Sequence, residues 1–202
     1  MLFHIRSPCA YNFLLKNDIL PLPCVRSLRR HLSCIDTKCG FDEKFLELFA
    51  LHLAQRDEFK RHGILIFDEI STRESVSVNS ENITYTGLID FGDNGDKGQS
   101  FNDKANHGLV FMFVPLNDNY AQPVGVFASR GPTKGVVIAQ LALKAITLLE
   151  KAGAFIHGIV CDGAAPNRKF WIEMGISAKL NEVKNWFEHP NDPDRKVMKK
   201  KK

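Results

Sequence analysis

The segment His62-Gly63-Ile64-Leu65-Ile66-Phe67-Asp68-Glu69 constrains the chain most: four consecutive apolar residues run directly into two acids. A short run that is apolar on both faces fits a central strand better than an edge strand. Two similar runs, residues 108–116 and 123–129, flank the turn Asn117-Asp118-Asn119. Their spacing suits an antiparallel hairpin. Thr133 then caps a helix running to residue 152, with Val136, Val137, Leu141, Ala145, Leu148 and Leu149 on its apolar side and Gly153 closing it. A fourth strand, 155–161, ends at Asp162. Between the first two strands lie polar residues, 71–106. They hold one β-rich stretch, 83–91, and the loop Gly92-Asp93-Asn94-Gly95-Asp96-Lys97-Gly98.

Residues 1–61 read as a helical segment. Ser7 caps a helix to residue 16, with Tyr11, Leu14 and Leu15 on one face, and Leu20-Pro21-Leu22-Pro23 breaks it. A second helix, 25–35, sets Arg26, Arg29 and Arg30 opposite Val25, Leu28 and Leu32. A third starts at Gly40-Phe41-Asp42. Phe41, Phe45, Leu48, His52 and Gln55 follow helical spacing there, and Leu51 and Phe59 extend the apolar side. Three helices with a basic middle one have the outline of a helix-turn-helix. Many three-helix packings share that outline and bind nothing, so both readings stay open. After the fourth strand, residues 167–187 read as helical with a break at Gly175-Ile176-Ser177. Residues 188–202 read as a tail: the turn His189-Pro190-Asn191-Asp192-Pro193-Asp194, then a basic end closing in four lysines. Such an end either touches phosphates or stays solvated.

Composition narrows the class. The chain has 202 residues, 44% hydrophobic and 25% charged, which fits one globular domain with a helical appendage and excludes a disordered chain. A net charge of +4 does not by itself demand a nucleic-acid partner. The longest apolar run falls far short of the ~20 residues of a membrane span, and the N-terminus lacks a signal-peptide pattern, so no membrane partner is expected. Five cysteines, at 9, 24, 34, 39 and 161, are an odd count without an export signal and read as thiols in a reducing compartment. Cys24, His31, Cys34 and Cys39 are near in sequence, but no pair has Cys-x2-Cys spacing, so idle thiols are preferred to zinc.

The order strand-strand-strand-helix-strand, with an acid on the first strand and another ending the fourth, is the ribonuclease H arrangement. The expected fold is therefore α/β: an RNase H-like mixed sheet over residues 62–187, incomplete at the C-terminus and preceded by a small helical segment. In that sheet the first and fourth strands are neighbours, about 4.8 Å apart. Asp68 and Asp162 are thus candidates to share divalent cations, and hard carboxylate oxygens select Mg2+ or Mn2+. Two metals about 3.5–4 Å apart would clamp the attacking and leaving oxygens of a phosphodiester. The competing reading of each acid is a strand-end cap. Glu69 falls on the opposite face from Asp68 and reads as packing or solvated. His107 and His157, at strand starts, read as satisfied residues. Arg130 and Lys134, beside Gly131-Pro132, read as a solvated turn before a phosphate contact. Arg168 and Lys169, just after Asp162, are candidate DNA contacts. An unrelated phosphatase built on Asp68 would want a second Asp where Ile70 stands.

These motifs together resemble the P-element transposases and their THAP-domain relatives. Gly63-Ile64-Leu65-Ile66-Phe67-Asp68-Glu69-Ile70-Ser71 is similar to their first catalytic strand. Ile159-Val160-Cys161-Asp162-Gly163, followed by Asn167, is similar to their second acid motif. Leu20-Pro21-Leu22-Pro23 and Ser27-Leu28-Arg29-Arg30-His31-Leu32 resemble the helical segment before that domain. Gly108-Leu109-Val110-Phe111-Met112-Phe113 and Gly125-Val126-Phe127-Ala128-Ser129 resemble its second and third strands. Phe187-Glu188-His189-Pro190 and Asp192-Pro193-Asp194-Arg195 resemble the segment after the fourth. The resemblance reaches residue 197.

It implies cut-and-paste DNA transposition, with Asp68 and Asp162 as the first two of three acids holding Mg2+, DNA as partner, and a nuclear location. It also implies self-association or association with an intact transposase. The family's zinc-binding THAP module and its GTP-binding segment have no counterpart among these residues. Its third acid lies further downstream; Glu173 and Glu182 are the nearby acids, and the motif assigns the role to neither. The resemblance therefore reads as a transposase fragment carrying two catalytic acids. The alternative is a non-catalytic remnant that binds DNA or a partner through Arg26, Arg29 and Arg30.

Overall fold

The computed structural model describes residues 2–33, 38–79, 84–92, 95, 97–100, 102–179 and 182–201. The chain divides into two compact units between residues 37 and 38. The first contains α1 (Leu2–Arg6), α2 (Pro8–Lys16) and α3 (Val25–Ser33). Ser7 Oγ accepts the Ala10 amide at 3.4 Å, and Pro8 sits in the first turn, where its missing N–H is no loss. Tyr11 is buried, and its hydroxyl donates to the Pro23 carbonyl at 2.6 Å, tying α2 to the chain entering α3. On α3, Leu28 is buried while Arg26, Arg29 and Arg30 are exposed.

The second unit opens with α4 (Glu43–Ala54), where Asp42 Oδ1 accepts the Phe45 amide at 3.2 Å as its cap. α4 buries Leu46, Phe49 and Leu53. Leu48, Leu51 and, in α5 (Glu58–Arg61), Phe59 are exposed, the reverse of the face expected from spacing. α4 carries apolar residues on two stripes, and only packing against the sheet selects between them. Because Phe49 and Leu53 enter the sheet's core, α4 belongs to the second unit. The division between residues 37 and 38 thus separates α4 from α1, α2 and α3.

Among the described residues ten strands follow: β1 (His62–Ser71), β2 (Ser77–Asn79), β3 (Thr84–Thr86), β4 (His107–Pro115), β5 (Gln122–Ser129), β6 (Phe155–Cys161), β7 (Ser177–Lys179), β8 (Glu182–Lys184), β9 (Trp186–His189) and β10 (Asp192–Lys201). α6 (Gly135–Lys151) precedes β6 and α7 (Ala165–Glu173) follows it. Six strands make the main sheet in the order β5-β4-β1-β6-β10-β9. β4 runs antiparallel to both β1 and β5, β6 runs parallel to β1 and to β10, and β9 is antiparallel to β10. β2–β3 and β7–β8 are small separate antiparallel pairs. The expected α/β architecture and mixed sheet are present, with the first and fourth core strands side by side.

Strand alternation builds the core. Leu65 and Phe67 of β1 lie opposite Phe113 and Phe111 of β4, and all four are buried. Ile138, Ala142, Ile146 and Leu149 of α6 and Phe170 of α7 join that core. The face of α6 is rotated from the expected one: Val136 is exposed and Ile138 buried, because α6 is apolar on most sides. Thr133 does not cap α6; Lys134 occupies that position. Gly135 lets the two helices meet, since a Cβ there would lie 2.6 Å from Phe170 N and 2.7 Å from Pro166 O.

The C-terminal part departs most from expectation. The helix after Asp162 stops at Glu173, and β7, β8, β9 and β10 stand where helix and tail are expected. β10 is anchored by Val197, fully buried, and by Phe187 of β9 across from it. Arg195 adds a bidentate pair to Glu150 on α6, at 2.8 and 3.0 Å. The lysine-rich end is thus a sheet strand beside β6. Among the described residues, no helix is long and apolar enough to cross a membrane.

Candidate active site

β1 and β6 run parallel with Ile66 beside Val160. Continued two residues past that last pair, the register would carry Asp68 level with Asp162, which lies just beyond the end of β6. Asp68 is one step out of phase with buried Phe67, so it lies on the sheet face away from the helices. Its Oδ1 accepts the Glu69 amide at 3.0 Å. Asp162 is exposed just past β6. Its Oδ1 accepts the Ala164 amide at 3.0 Å and the side-chain amide of buried Asn167, in the first turn of α7. These bonds fix the turn from β6 into α7 and leave Oδ2 without a hydrogen-bond partner among the described residues.

Cys161 reports the field of both acids. Burial raises its thiol first, Asp162 and Asp68 add to this, and the pKa is pushed up to about 12 despite opposing contributions from Trp171 and Lys199. The thiol is therefore a neutral filler, not a nucleophile.

Glu69 faces the other way, as alternation requires, but it is neither solvated nor packed in apolar surroundings. Its Oε1 accepts the Thr133 amide at 2.9 Å, the Thr133 hydroxyl at 2.8 Å and the Ser129 hydroxyl at 3.4 Å. Glu69 thereby ties the acid-bearing end of β1 to the turn that enters α6.

The candidate cations separate into distinct roles. Arg168 Nε donates to the Gly163 carbonyl at 3.0 Å, which holds its guanidinium beside Asp162. Lys169 is paired with Glu173 at 2.9 Å along α7, so Glu173 is committed to that pair. Arg130 donates to the Asn102 carbonyl at 2.8 Å. Arg26, Arg29 and Arg30 line one shallow depression on α3 with Ser27. His107 is satisfied by Asn106 at 2.7 Å, and His157 faces His62 at 2.6 Å. Cys9, Cys24, Cys39 and Cys161 are free thiols. The side chains of His31, Cys34 and Glu182 lie outside the described residues.

Two residues invisible to the motif reading complete the surroundings. Lys199 and Lys200 of β10 join Cys161, Asp162, Gly163, Arg168 and Trp171 in lining a cleft of about 530 Å³. A second, more enclosed cavity of about 410 Å³, between α4, α6 and Phe91, Gly92 and Gly95, contains neither acid. Asp68 and Asp162 carry hard carboxylate oxygens of the kind Mg2+ and Mn2+ prefer. Among the described residues, no group of three or more His, Cys, Asp and Glu side chains is gathered as a metal site.

Residues 37–175 match the family model described as TNP-like, RNase H N-terminal domain. The chain belongs to this family. That TNP-like RNase H domain bears out the resemblance to P-element-type transposases over their RNase H-like region. Among solved structures the chain is similar to the Drosophila P element transposase strand transfer complex, with a TM-score of 0.72 and 24% identity. That match covers 98% of this chain and 39% of the other, so the chain spans well under half of that protein's length. The likeness establishes the fold. No curated protein matches the chain.

Proposed function

We propose that this chain provides the DNA-handling, metal-binding part of a P-element-type transposase, with Asp68 and Asp162 as two of its catalytic acids and the nucleus as its site of action. The observation that supports the reading is the parallel β1–β6 pairing of an RNase H-like sheet, since Asp68 near the end of β1 and Asp162 just past β6 follow the last paired residues, Ile66 and Val160, by two positions each. When bound, Mg2+ or Mn2+ would supply Lewis-acid charge and an activated oxygen for phosphodiester attack. Asp68 and Asp162 would hold the ion through their carboxylate oxygens. Asn167 and the Ala164 amide keep Asp162 from rotating away, and Glu69 fixes the end of β1. Arg168 and exposed Arg26, Arg29 and Arg30 supply phosphate contacts.

A second reading is supported by the absence of a gathered third acid among the described residues: a non-catalytic module that binds DNA, or pairs with a further transposase chain. Mn2+-dependent nicking of a duplex separates the two. The catalytic reading predicts nicking that disappears in Asp68→Asn and in Asp162→Asn while duplex binding survives. Nicking that is equal in wild type and both variants contradicts it. Binding that falls in Arg29→Ala with Arg30→Ala, without any nicking in wild type, supports the second reading.

A further inference from the structure

We propose that Lys199 and Lys200 of β10, with Arg168 of α7, form a backbone-phosphate subsite beside Asp162. The inference rests on reading the Asp68–Asp162 end of the sheet as a nucleic-acid site and names the part of that site which grips the strand.

The argument starts from where β10 is placed. Lys199 pairs with Ile159 and Lys200 with Val160 of β6, so both flank the last residues before Asp162. Alternation sends the two side chains to opposite faces of the sheet. Lys199 lies on the helix side, its ammonium 5.0 Å from the centre of the Trp171 ring. Lys200 lies on the same face as Asp68 and is exposed. The cations therefore bracket the strand end from both sides.

Their charge is not neutralised. Among the described residues, no carboxylate lies within ion-pair distance of Arg168, Lys199 or Lys200, whereas Lys169 and Arg195 each have one. Arg168 spends only its Nε, on the Gly163 carbonyl, so its terminal nitrogens remain available. The cleft thus gathers three cations around a single carboxylate, a charge imbalance that a phosphate oxygen would correct.

The shape identifies the phosphate's source. A neighbouring cleft of about 760 Å³ continues past Arg168, Trp171 and Lys199 along Ile172, Gly175, Ile176 and Ala178. Trp171 is buried and covered by Lys199, so it offers no platform for a base. An extended run with cations at one end and an apolar wall suits a sugar-phosphate strand better than a free nucleotide.

The test is binding of a fluorescent duplex of arbitrary sequence in EDTA, where metal binding plays no part, at 50–200 mM salt. Wild type is compared with Lys199→Gln/Lys200→Gln, Arg168→Gln and a control, Lys151→Gln, at the far end of α6. Each lost phosphate contact lowers the salt slope by about 0.9. The double variant should therefore show a slope shallower by about 1.8, so that wild type loses about 12-fold more affinity across that salt range. Arg168→Gln should show about half that change. Lys200→Gln alone, at an exposed position, gives about 3.5-fold and carries the test if the double variant fails to fold. Slopes equal to the control in all variants, or wild type that does not bind the duplex, overturn the subsite. Because divalent ions are excluded, loss of the metal-binding reading leaves this result unaffected.

Discussion

At the amino end of the β1–β6 pair, His62 Nδ1 lies 2.6 Å from His157 Nε2, and Glu150 holds Arg195 in a two-pronged pair. At the carboxyl end of the same two strands, Asp162 meets Arg168, Lys199 and Lys200 across an open cleft, and those three cations have no carboxylate partner among the described residues. The backbone is the same mixed sheet in both places; the difference is how charge is used. The amino end spends its charges internally. Glu150 also accepts the Ile156 amide at 2.8 Å, and Arg195 covers the Phe155 ring. Buried His189 places Nε2 3.1 Å from Glu150, and its Nδ1 accepts the Asn191 amide at 3.3 Å. This network clamps α6 to β9 and β10. The carboxyl end leaves Arg168, Lys199 and Lys200 without carboxylate partners among the described residues, and the proposed phosphate subsite rests on that contrast.

The largest expected effect breaks the clamp. Arg195→Ala leaves the Glu150 carboxylate, largely buried, without its main partner and should cost about 2–3 kcal/mol in urea unfolding. Asp162→Asn and Lys200→Gln, at the other end, should change stability by less than about 0.5 kcal/mol. Equal losses at the two ends would break the comparison.

A smaller effect appears with acid. Burial works to raise the Glu150 pKa, but Arg195, the Ile156 amide and His189 outweigh it and hold the group below its ordinary 4.5. Its stabilising contribution is present above pH 4.5 and is lost as pH falls through the lower folded value. Burial first, then His62 and Arg195, lowers the pKa of His157 below 6.5, so the neutral ring is the folded form. That contribution is present above pH 6.5 and fades as pH drops below it. Melting temperature should therefore decline in two steps, the first below pH 6.5 and the second below pH 4.5. His157→Gln should remove the first step and Arg195→Ala should reduce the second. A profile unchanged by either variant would separate the pH response from this network.

What could be read from the residues follows from how each element is stabilised. β1, β4, β5 and β6 are runs of aliphatic and aromatic residues, and such runs state their burial directly. Asp68 and Asp162 were legible because each ends one of those runs. α4 and α6 were legible as helices but not in orientation, since apolar residues on several sides leave the buried stripe to the sheet. β10 was not legible at all: Arg195, Lys196, Lys199 and Lys200 are poor strand formers, and only Val197 marks a buried face. Its strand is set by pairing with β6 and by the Arg195–Glu150 contact, both distant in sequence. Lys199 and Lys200 therefore read only as a basic end that touches phosphates or stays solvated, with nothing in the sequence to place them beside Asp162. Glu69 was legible in direction but not in role, because its partners, Ser129 and Thr133, lie some 60 residues away.

The central claim is that Asp68 and Asp162 share one cation site, and Mn2+ titration by calorimetry tests it most directly. The samples are wild type, Asp68→Asn and Asp162→Asn, each shown to be folded by circular dichroism. Weak binding in wild type that is lost in both variants is the predicted result. Binding of equal strength in all three proteins, or no binding in a folded wild type, would contradict it.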